Sequence, residues 1–191
     1  MDILRHRFSL AKTCWHVCRS EFPVGVLEMA IQIARAAGNF ADWAGLLRLL
    51  KESFAFMEER IDPPSSVHEL TLSSIAAKAQ AEALFLATVG YQLVGCVFAR
   101  QQGDSLYVGK LAVLADWQGK GIGRRLMRAA EEHARGARLP YLELDARIEL
   151  VENHKAFSAM GFVRTAERAH AGYDRPTFIT MRKQLTRSKP P

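Results

Sequence analysis

The chain has 191 residues, of which 49% are hydrophobic and 24% charged, and its formal net charge is +6. This length suits one domain with a sizeable core, and the composition excludes a disordered or collagen-like chain. The positive charge fits an anionic cofactor as well as it fits nucleic acid, and because the basic residues are spread along the chain we expect no nucleic-acid partner.

Compartment and metal binding are predicted from the apolar runs and the cysteines. No apolar run approaches the roughly 18 residues that span a bilayer, and the N-terminal segment lacks a secretory signal, so we expect a cytoplasmic protein with no membrane partner. Cys14, Cys18 and Cys96 are too few for a disulfide framework. His6 and His16 lie near the first two cysteines, but no second ligand pair follows, so no metal is expected.

The first helices and strands are predicted from the periodicity of apolar residues and from the residues that begin or end an element. Residues 1–26 show no clear period and are predicted to form a poorly ordered N-terminal extension. A strand is predicted over 27–37 because its apolar residues alternate. Asp42 then caps a first helix that Pro63-Pro64 ends, and a second helix is predicted to follow Ser65-Ser66.

The remaining elements complete an α+β pattern. Strands 83–89, 92–100 and 105–113 are separated by short glycine turns, which predicts an antiparallel meander. We then predict, in order, a helix at 121–136, a strand at 141–147, a short helix at 153–160, strands at 162–170 and 177–185, and a basic tail at 186–191. The order β-α-α-β-β-β-α-β-α-β-β indicates one domain, 27–185, built as a mixed, mostly antiparallel sheet flanked by helices.

A glycine-rich turn, 118–123, lies between a predicted strand and a predicted helix. Glycine lets the backbone approach a ligand closely, and the unpaired N–H groups of a helix N-terminus favour phosphate. Lys120, Arg124 and Arg125 crowd this helix start, where the macrodipole disfavours cations, so an anion is expected to offset them. The alternative is a solvated basic face whose glycines only serve a tight turn.

The turn differs from two known nucleotide-binding motifs. It lacks the Gly-Lys-Ser/Thr ending of the phosphate-binding loop, which excludes that class. A dinucleotide-binding enzyme stays an alternative, because Glu143 follows Gly123 by 20 residues, near the position of a ribose-binding acid. Against it stand the preceding antiparallel meander and the spacing of Gly119, Gly121 and Gly123, which is not Gly-x-Gly-x-x-Gly.

The same residues resemble a known family. Leu111-Ala112-Val113, five further residues and then Gly119-Lys120-Gly121-Ile122-Gly123-Arg124 resemble the acetyl-CoA motif of the GNAT acetyltransferases. Gln118, Gly121 and Gly123 supply that family's Gln/Arg-x-x-Gly-x-Gly/Ala pattern, and Gly161-Phe162 is similar to its second motif. The resemblance extends over 27–185 and includes the order of the elements.

The resemblance implies a function and a donor. It implies direct transfer of an acetyl group from acetyl-CoA to an amine of a small molecule or peptide, in a sheet that splays open beside the strand of 111–113. The Val113 N–H would then lie near the thioester carbonyl as an oxyanion donor. The residues expected to bind the cofactor are Leu111, Ala112, Val113, Gln118, Gly119, Lys120, Gly121, Ile122, Gly123, Arg124, Asn153 and Phe157.

The general acid and the general base are indicated less clearly by the sequence than the cofactor-binding residues are. Glu143 is the candidate general base, because it stands in a strand similar to one that carries a glutamate base in some relatives, and a charged residue on the solvent face of a strand is the alternative. Phe157 occupies the position where many members place a tyrosine that protonates the departing thiolate. Tyr173 is the candidate replacement, or the thiolate leaves unaided, and a packing role for Tyr173 is the alternative.

Other assignments stay open at this point. The family's usual asparagine falls at Leu150, so Asn153 either reaches the cofactor or caps its helix. Phe157 also fits a non-catalytic acyl-CoA sensor, and the basic charge leaves a nucleic-acid-binding module as a further alternative. The acceptor should be chosen by the early helices, 42–80, and by the turn 172–176. A homodimer is one oligomeric state that the sequence leaves open.

Overall fold

The computed structural model of this protein describes residues 30–185. The predicted order of elements is confirmed. The strands are β1 (Ile31–Arg35), β2 (Ala83–Val89), β3 (Gln92–Gln102), β4 (Ser105–Val113), β5 (Tyr141–Arg147), β6 (Val163–Arg168) and β7 (Phe178–Gln184). The helices are α1 (Trp43–Phe54), α2 (Leu72–Ala81), α3 (Ile122–Gly136) and α4 (Val151–Ser158).

Local sequence chemistry explains where the early helices begin. Asp42 caps α1 as predicted, because its carboxylate accepts a hydrogen bond from the Gly45 amide at 2.9 Å. The second helix begins later than predicted. Thr71 and Ser74 form a reciprocal capping box, with Ser74 N donating to Thr71 Oγ1 at 3.1 Å and Thr71 N donating to Ser74 Oγ at 2.9 Å. The chain between Ser66 and Thr71 is therefore not part of α2.

Other boundaries differ from prediction by a few residues. Helix α4 begins at Val151 rather than at 153, and β6 is shorter than the predicted 162–170. Strand β1 covers Ile31–Arg35 and so ends before the predicted limit at 37, while residues 27–29 of the predicted strand lie outside the described residues. The N-terminal extension, 1–26, and the C-terminal tail, 186–191, lie outside them entirely and stay predictions.

The strands form one seven-stranded sheet in the order β1-β2-β3-β4-β5-β7-β6. All neighbouring strands pair antiparallel except β4 and β5, which pair parallel and are connected by α3. This confirms the mixed, mostly antiparallel sheet, and it shows that the predicted antiparallel meander of β2 to β4 runs directly into a parallel crossover.

Helices cover both faces of the sheet. On one face α3 buries Leu126, Met127 and Ala130 against the sheet, and each of these residues is at most 1% exposed. On the other face α1 and α2 bury Leu50 and Ile75. The functional site therefore has to open at an edge or at a gap in the sheet. No helix within residues 30–185 has both the length and the apolar character that crossing a membrane requires.

The gap lies between β4 and β5. Only Ser105–Tyr107 of β4 pairs with Tyr141–Glu143 of β5, so the later halves of these two strands do not pair with each other. The sheet consequently splits into a β1–β4 part and a β5–β7 part beyond Tyr107. This is the splay that the resemblance implied, and it leaves backbone groups of β4 available to a ligand.

A β-bulge adjoins the gap. Cys96 pairs with Ala112 and Phe98 pairs with Gly109, so two residue steps on β3 face three on β4. Lys110 lies in the bulge and has φ of 52°, a left-handed conformation that is unusual for a lysine.

Candidate active site

A cleft of about 1450 Å³ opens where β4 and β5 separate. Its walls are the end of β4, the turn and first residues of α3, the end of β5 and one side of α4. The end of α1 and the segment that follows it border the same cleft. The region thus brings together the glycine-rich turn and the early helices, which the sequence predicted to serve donor and acceptor respectively.

The glycine-rich turn exposes backbone amides to this cleft. Gly119 and Gly121 have φ of 74° and 77°, and a Cβ on either would meet no atom within 4 Å. Gly121 caps α3 without any side-chain hydrogen bond, and the first bond of the helix runs from Arg125 N to Gly121 O at 3.0 Å. The N–H groups of residues 122–124 therefore have no protein acceptor in the described part of the chain. Free amides around a helix N-terminus favour a phosphate group.

The charges near this turn are positive, and no ion pair within residues 30–185 includes them. The first turn of α3 contains no acidic residue, and Arg124 lines the cleft. Arg125 donates to the carbonyl of Ile31 at 2.8 Å and so ties α3 to β1. Lys120 does not line the cleft, and its ammonium lies 4.4 Å from the ring centroid of Trp117. Eleven of the twelve residues expected to bind the cofactor line the cleft, Lys120 being the exception.

The end of β4 presents a backbone N–H to the gap. Leu114 N donates to Val94 O at 3.0 Å, so the directly opposite residues Gly95 and Val113 form a non-hydrogen-bonded pair. The N–H and C=O of Val113 consequently point away from β3 and toward the separated β5. Gln118 Nε2 donates to that carbonyl at 3.1 Å, which fixes the turn on the end of β4. The Val113 N–H stays available as a donor.

Helix α4 supplies the opposite wall. Asn153 and Phe157 both line the cleft, and the Phe157 ring packs edge-on against Phe162 with centroids 6.1 Å apart. The N-cap of α4 is Leu150, which makes no side-chain cap, and Asn153 is the third residue of the helix. The capping alternative for Asn153 is therefore wrong, because its side chain stands inside the first turn rather than before it.

The candidate base lies beside the cleft rather than in its wall. Glu143 does not line the cleft, and its carboxylate lies 3.1 Å from Nε of Arg182. Asp145, two residues later on the same face of β5, does line it. Asp145 accepts hydrogen bonds from Thr180 Oγ1 at 2.7 Å and from the Tyr107 hydroxyl at 3.3 Å. Sequence reasoning missed Asp145, because alternation along the strand places Glu143 and Asp145 on one face and does not show which of them lines the cleft.

Tyr107 completes this polar group at the point where the sheet opens. Its side chain lines the cleft, and burial, together with the charge of the Asp145 carboxylate, raises the pKa of its hydroxyl well above the ordinary value. Tyr107 therefore remains protonated across the physiological range and acts as a hydrogen-bond donor.

The candidate acid is held away from the cleft wall. The Tyr173 hydroxyl donates to Asp62 Oδ1 at 2.7 Å, and Tyr173 does not line the cleft. This hydrogen bond is the main cause that raises the pKa of Tyr173 and lowers the pKa of Asp62. Arg175 donates to the second carboxylate oxygen at 2.6 Å. The turn 172–176 is thereby joined to the segment after α1.

A histidine and an arginine that the sequence did not single out also line the cleft. Arg147 Nη1 lies 3.2 Å from His170 Nε2, and its Nη2 donates to the Pro63 carbonyl. His170 Nδ1 lies 2.5 Å from Thr177 Oγ1. Burial, followed by the charge of Arg147, lowers the pKa of His170, so the imidazole is neutral at pH 7.

Neither a metal centre nor a nucleophilic cysteine is found in the described chain. Residues 30–185 contain no cluster of three His, Cys, Asp or Glu side chains that could hold a metal ion. Cys96 is fully buried, and burial raises the pKa of its thiol. The histidines and cysteines near the N-terminus that were weighed as metal ligands lie outside the described residues.

Comparison with known proteins agrees with this geometry. The model of the acetyltransferase (GNAT) family matches residues 43–162, which include the glycine-rich turn and α4. The chain belongs to the GNAT acetyltransferase family. It is also similar to the aminoglycoside N(6′)-acetyltransferase type 1 of Stenotrophomonas maltophilia, with 36% identity over 114 residues, covering 54% of this chain and 72% of that protein.

Solved structures of GNAT proteins share the fold. The PaiA N-acetyltransferase of Thermoplasma acidophilum, in complex with coenzyme A, matches with a TM-score of 0.65 and 16% identity over 82% of this chain and all of that one. A GNAT family acetyltransferase of Elizabethkingia anophelis, with acetyl-CoA bound, matches with a TM-score of 0.59 and 16% identity over 81% of this chain and 98% of its own. At these identities the likeness shows the fold alone.

Proposed function

We propose that this GNAT protein transfers the acetyl group of acetyl-CoA to an amine of a small molecule by direct attack. The observation that carries the proposal is the row of free amides at the start of α3, which opens onto the gap between β4 and β5. A GNAT protein crystallised with acetyl-CoA and another crystallised with coenzyme A support the donor, and the aminoglycoside-acetylating relative supports a small-molecule acceptor over a peptide.

The donor would lie along the cleft from α3 to the gap. In this arrangement the amides of 119–124 and the Arg124 guanidinium bind the diphosphate, and the unpaired backbone of β4 bonds the pantetheine amides. The thioester carbonyl then accepts from the Val113 N–H, which polarises it for attack. Asn153 and Phe157 flank the cofactor from α4. The alignment of free donors along this path supports the proposal.

Transfer requires a free amine lone pair. An alkylamine of pKa ~10.4 is protonated at pH 7, and removing its proton costs about 4–5 kcal/mol, so a general base that accepts this proton in the active site assists the reaction. The amine nitrogen then bonds the acetyl carbon as the carbon–sulfur bond breaks, and the thiolate leaves with the electron pair. The nitrogen loses one further proton to give the amide, which replaces the proton that the acid donates to the thiolate. We assign Glu143 as the base, acting through water because it does not line the cleft, and Tyr173 as the acid, whose hydroxyl must leave Asp62 to reach the thiolate. Asp145, which lines the cleft, is the competing base.

A non-catalytic acyl-CoA sensor is the second candidate function. Phe157 favours it, because this cleft residue has no proton to give at the position where many relatives carry a tyrosine. Both functions require acetyl-CoA binding, so binding alone does not separate them. We place the protein in the cytoplasm, where acetyl-CoA is available to either function.

A thiol-release assay separates the two functions. The protein is mixed with acetyl-CoA and with polyamines, aminoglycosides, amino acids or peptides, and free CoA is measured against a protein-free reaction. The transferase predicts CoA release with at least one amine, accompanied by an acetylated product in the mass spectrum. Tight acetyl-CoA binding by calorimetry without any release would instead support the sensor, and absence of binding would refute both.

A further inference from the structure

A lysine beside the acceptor half of the cleft has no carboxylate partner within residues 30–185. Lys110 lies at the bulge of β4 and lines the cleft. Its ammonium donates to Ser66 Oγ at 2.8 Å and lies 5.9 Å from the ring centroid of Phe54, at the end of α1. Both contacts are uncharged, and no ion pair of the described chain includes Lys110.

Three cations and two carboxylates lie in or beside this part of the cleft, so one positive charge exceeds the negative charges there. Lys78 and Arg100 also line the cleft, and both lie close to the same carboxylate, Glu82, at 2.6 and 3.6 Å. The other carboxylate that acts on Lys110 is Glu69, which is not within ion-pair distance. Burial, followed by the charge of Lys78, lowers the pKa of Lys110, and the charges of Glu69 and Glu82 act in the opposite direction.

The position of this lysine is enforced by the fold. A left-handed backbone is costly for a residue with a Cβ and persists only where the surroundings impose it, and here the bulge imposes it on Lys110. The result is a half-buried cation with three N–H donors, of which one is used by Ser66. A buried charge is stabilised by an opposite charge, and the cleft is where that charge can enter.

We propose that Lys110 binds a carboxylate of the acceptor, so that the amine acetylated by this enzyme belongs to an amino-acid-like molecule carrying both groups. The inference rests on the proposed function and narrows its acceptor. It distinguishes an amino-acid-like acceptor from a polyamine or an aminoglycoside, because neither of these brings a carboxylate to Lys110.

The test compares acceptors that differ only in the carboxylate. CoA release is measured with 4-aminobutyrate against butylamine, with L-lysine against cadaverine, and with L-phenylalanine against its amide and against phenethylamine. The wild type is expected to prefer the carboxylated member of the pairs it accepts by about 10- to 100-fold in kcat/KM, the range of a charge-assisted hydrogen bond. Lys110→Met should remove this preference through KM, and Lys110→Arg should retain most of it.

Controls distinguish the inference from the proposed function. Lys51→Met removes an exposed lysine of α1 and should leave every pair unchanged. Equal kcat/KM for both members of each pair in the wild type, or an equal loss for both members in Lys110→Met, overturns the inference and leaves the transferase intact. If no amine releases CoA, the proposed function fails, and calorimetry of 4-aminobutyrate with the CoA-loaded protein decides the inference. Binding that Lys110→Met abolishes supports it, and absence of binding refutes it.

Discussion

Gly121→Asp is the substitution that most sharply perturbs the proposed diphosphate site. Gly121 caps α3 with φ of 77°, and a Cβ placed there meets no atom within 4 Å, so a new side chain fits the space beside the free amides. A carboxylate at roughly 5 Å from one phosphate charge, in an effective dielectric of about 20, raises the free energy of binding by about 3 kcal/mol. The expected loss of acetyl-CoA affinity is roughly 100-fold.

Gly121→Asn is the matched control for this charge. Asparagine has the same shape as aspartate and tolerates the left-handed region, so both variants share the backbone cost of replacing glycine and differ in charge. Calorimetry of CoA and acetyl-CoA should show weak binding for Gly121→Asp and much smaller losses for Gly121→Asn. Raising the salt concentration should narrow the difference. Equal affinities for the two variants would refute the diphosphate site at this turn.

Three further predictions concern catalysis, packing and pH. Glu143→Gln should lower kcat/KM at pH 7 by at least about 100-fold and Asp145→Asn by less than about 10-fold, and the reverse order would make Asp145 the base. Gly95→Ala should destabilise the fold by about 1–3 kcal/mol in denaturant melts, because its Cβ would lie 2.9 Å from a backbone oxygen of β4, whereas Gly38→Ala meets nothing and should be near neutral. Folding lowers the pKa of His170, so below pH ~6.5 this histidine is protonated to a greater extent in the unfolded chain than in the folded protein. Acidification from pH 7 to 5 should therefore lower Tm, and His170→Asn should make Tm depend less on pH. An unchanged dependence of Tm on pH in His170→Asn would contradict this prediction.

The strands and the main helix were predictable because their signals are local. Alternation and glycine turns placed β2, β4 and β5 at their observed bounds. Helix α2 was placed too early for a physical reason. Val67 is only 2% exposed although it is not helical, so a core residue of the connecting segment extended the apolar stripe N-terminal to the cap at Thr71. The apolar pattern therefore reflects burial, and a buried residue can lie in a helix or in a connecting segment.

The glycine-rich turn was predictable and the acid–base groups were not. The conformation of 118–123 depends on its own glycines, so its role as an amide cradle could be inferred from the residues alone. Which residue of β5 faces the cleft depends on where β4 and β5 part, and that follows from pairing between distant segments. Glu143 and Asp145 share one face of the strand, and only the position of the gap places Asp145 in the wall.

The conformation and contacts of Lys110 could not be predicted from the sequence either. Gly109 precedes the bulge of β4, but the left-handed residue is Lys110, and lysine is a poor candidate for a left-handed backbone. The bulge arises from the register between β3 and β4, which sequence periodicity does not specify. The contacts with Ser66 and Phe54 then depend on how the segment after α1 crosses the sheet.

The most direct test of the account is the response of the amides of Gly119, Gly121 and Gly123 to coenzyme A. Their ¹H–¹⁵N resonances can be followed in the labelled protein during titration with CoA and, separately, with pantetheine, which lacks the diphosphate. These three amides should show large downfield proton shifts with CoA and small ones with pantetheine. CoA binding that leaves the three resonances in place, or moves them equally with pantetheine, would contradict the diphosphate cradle.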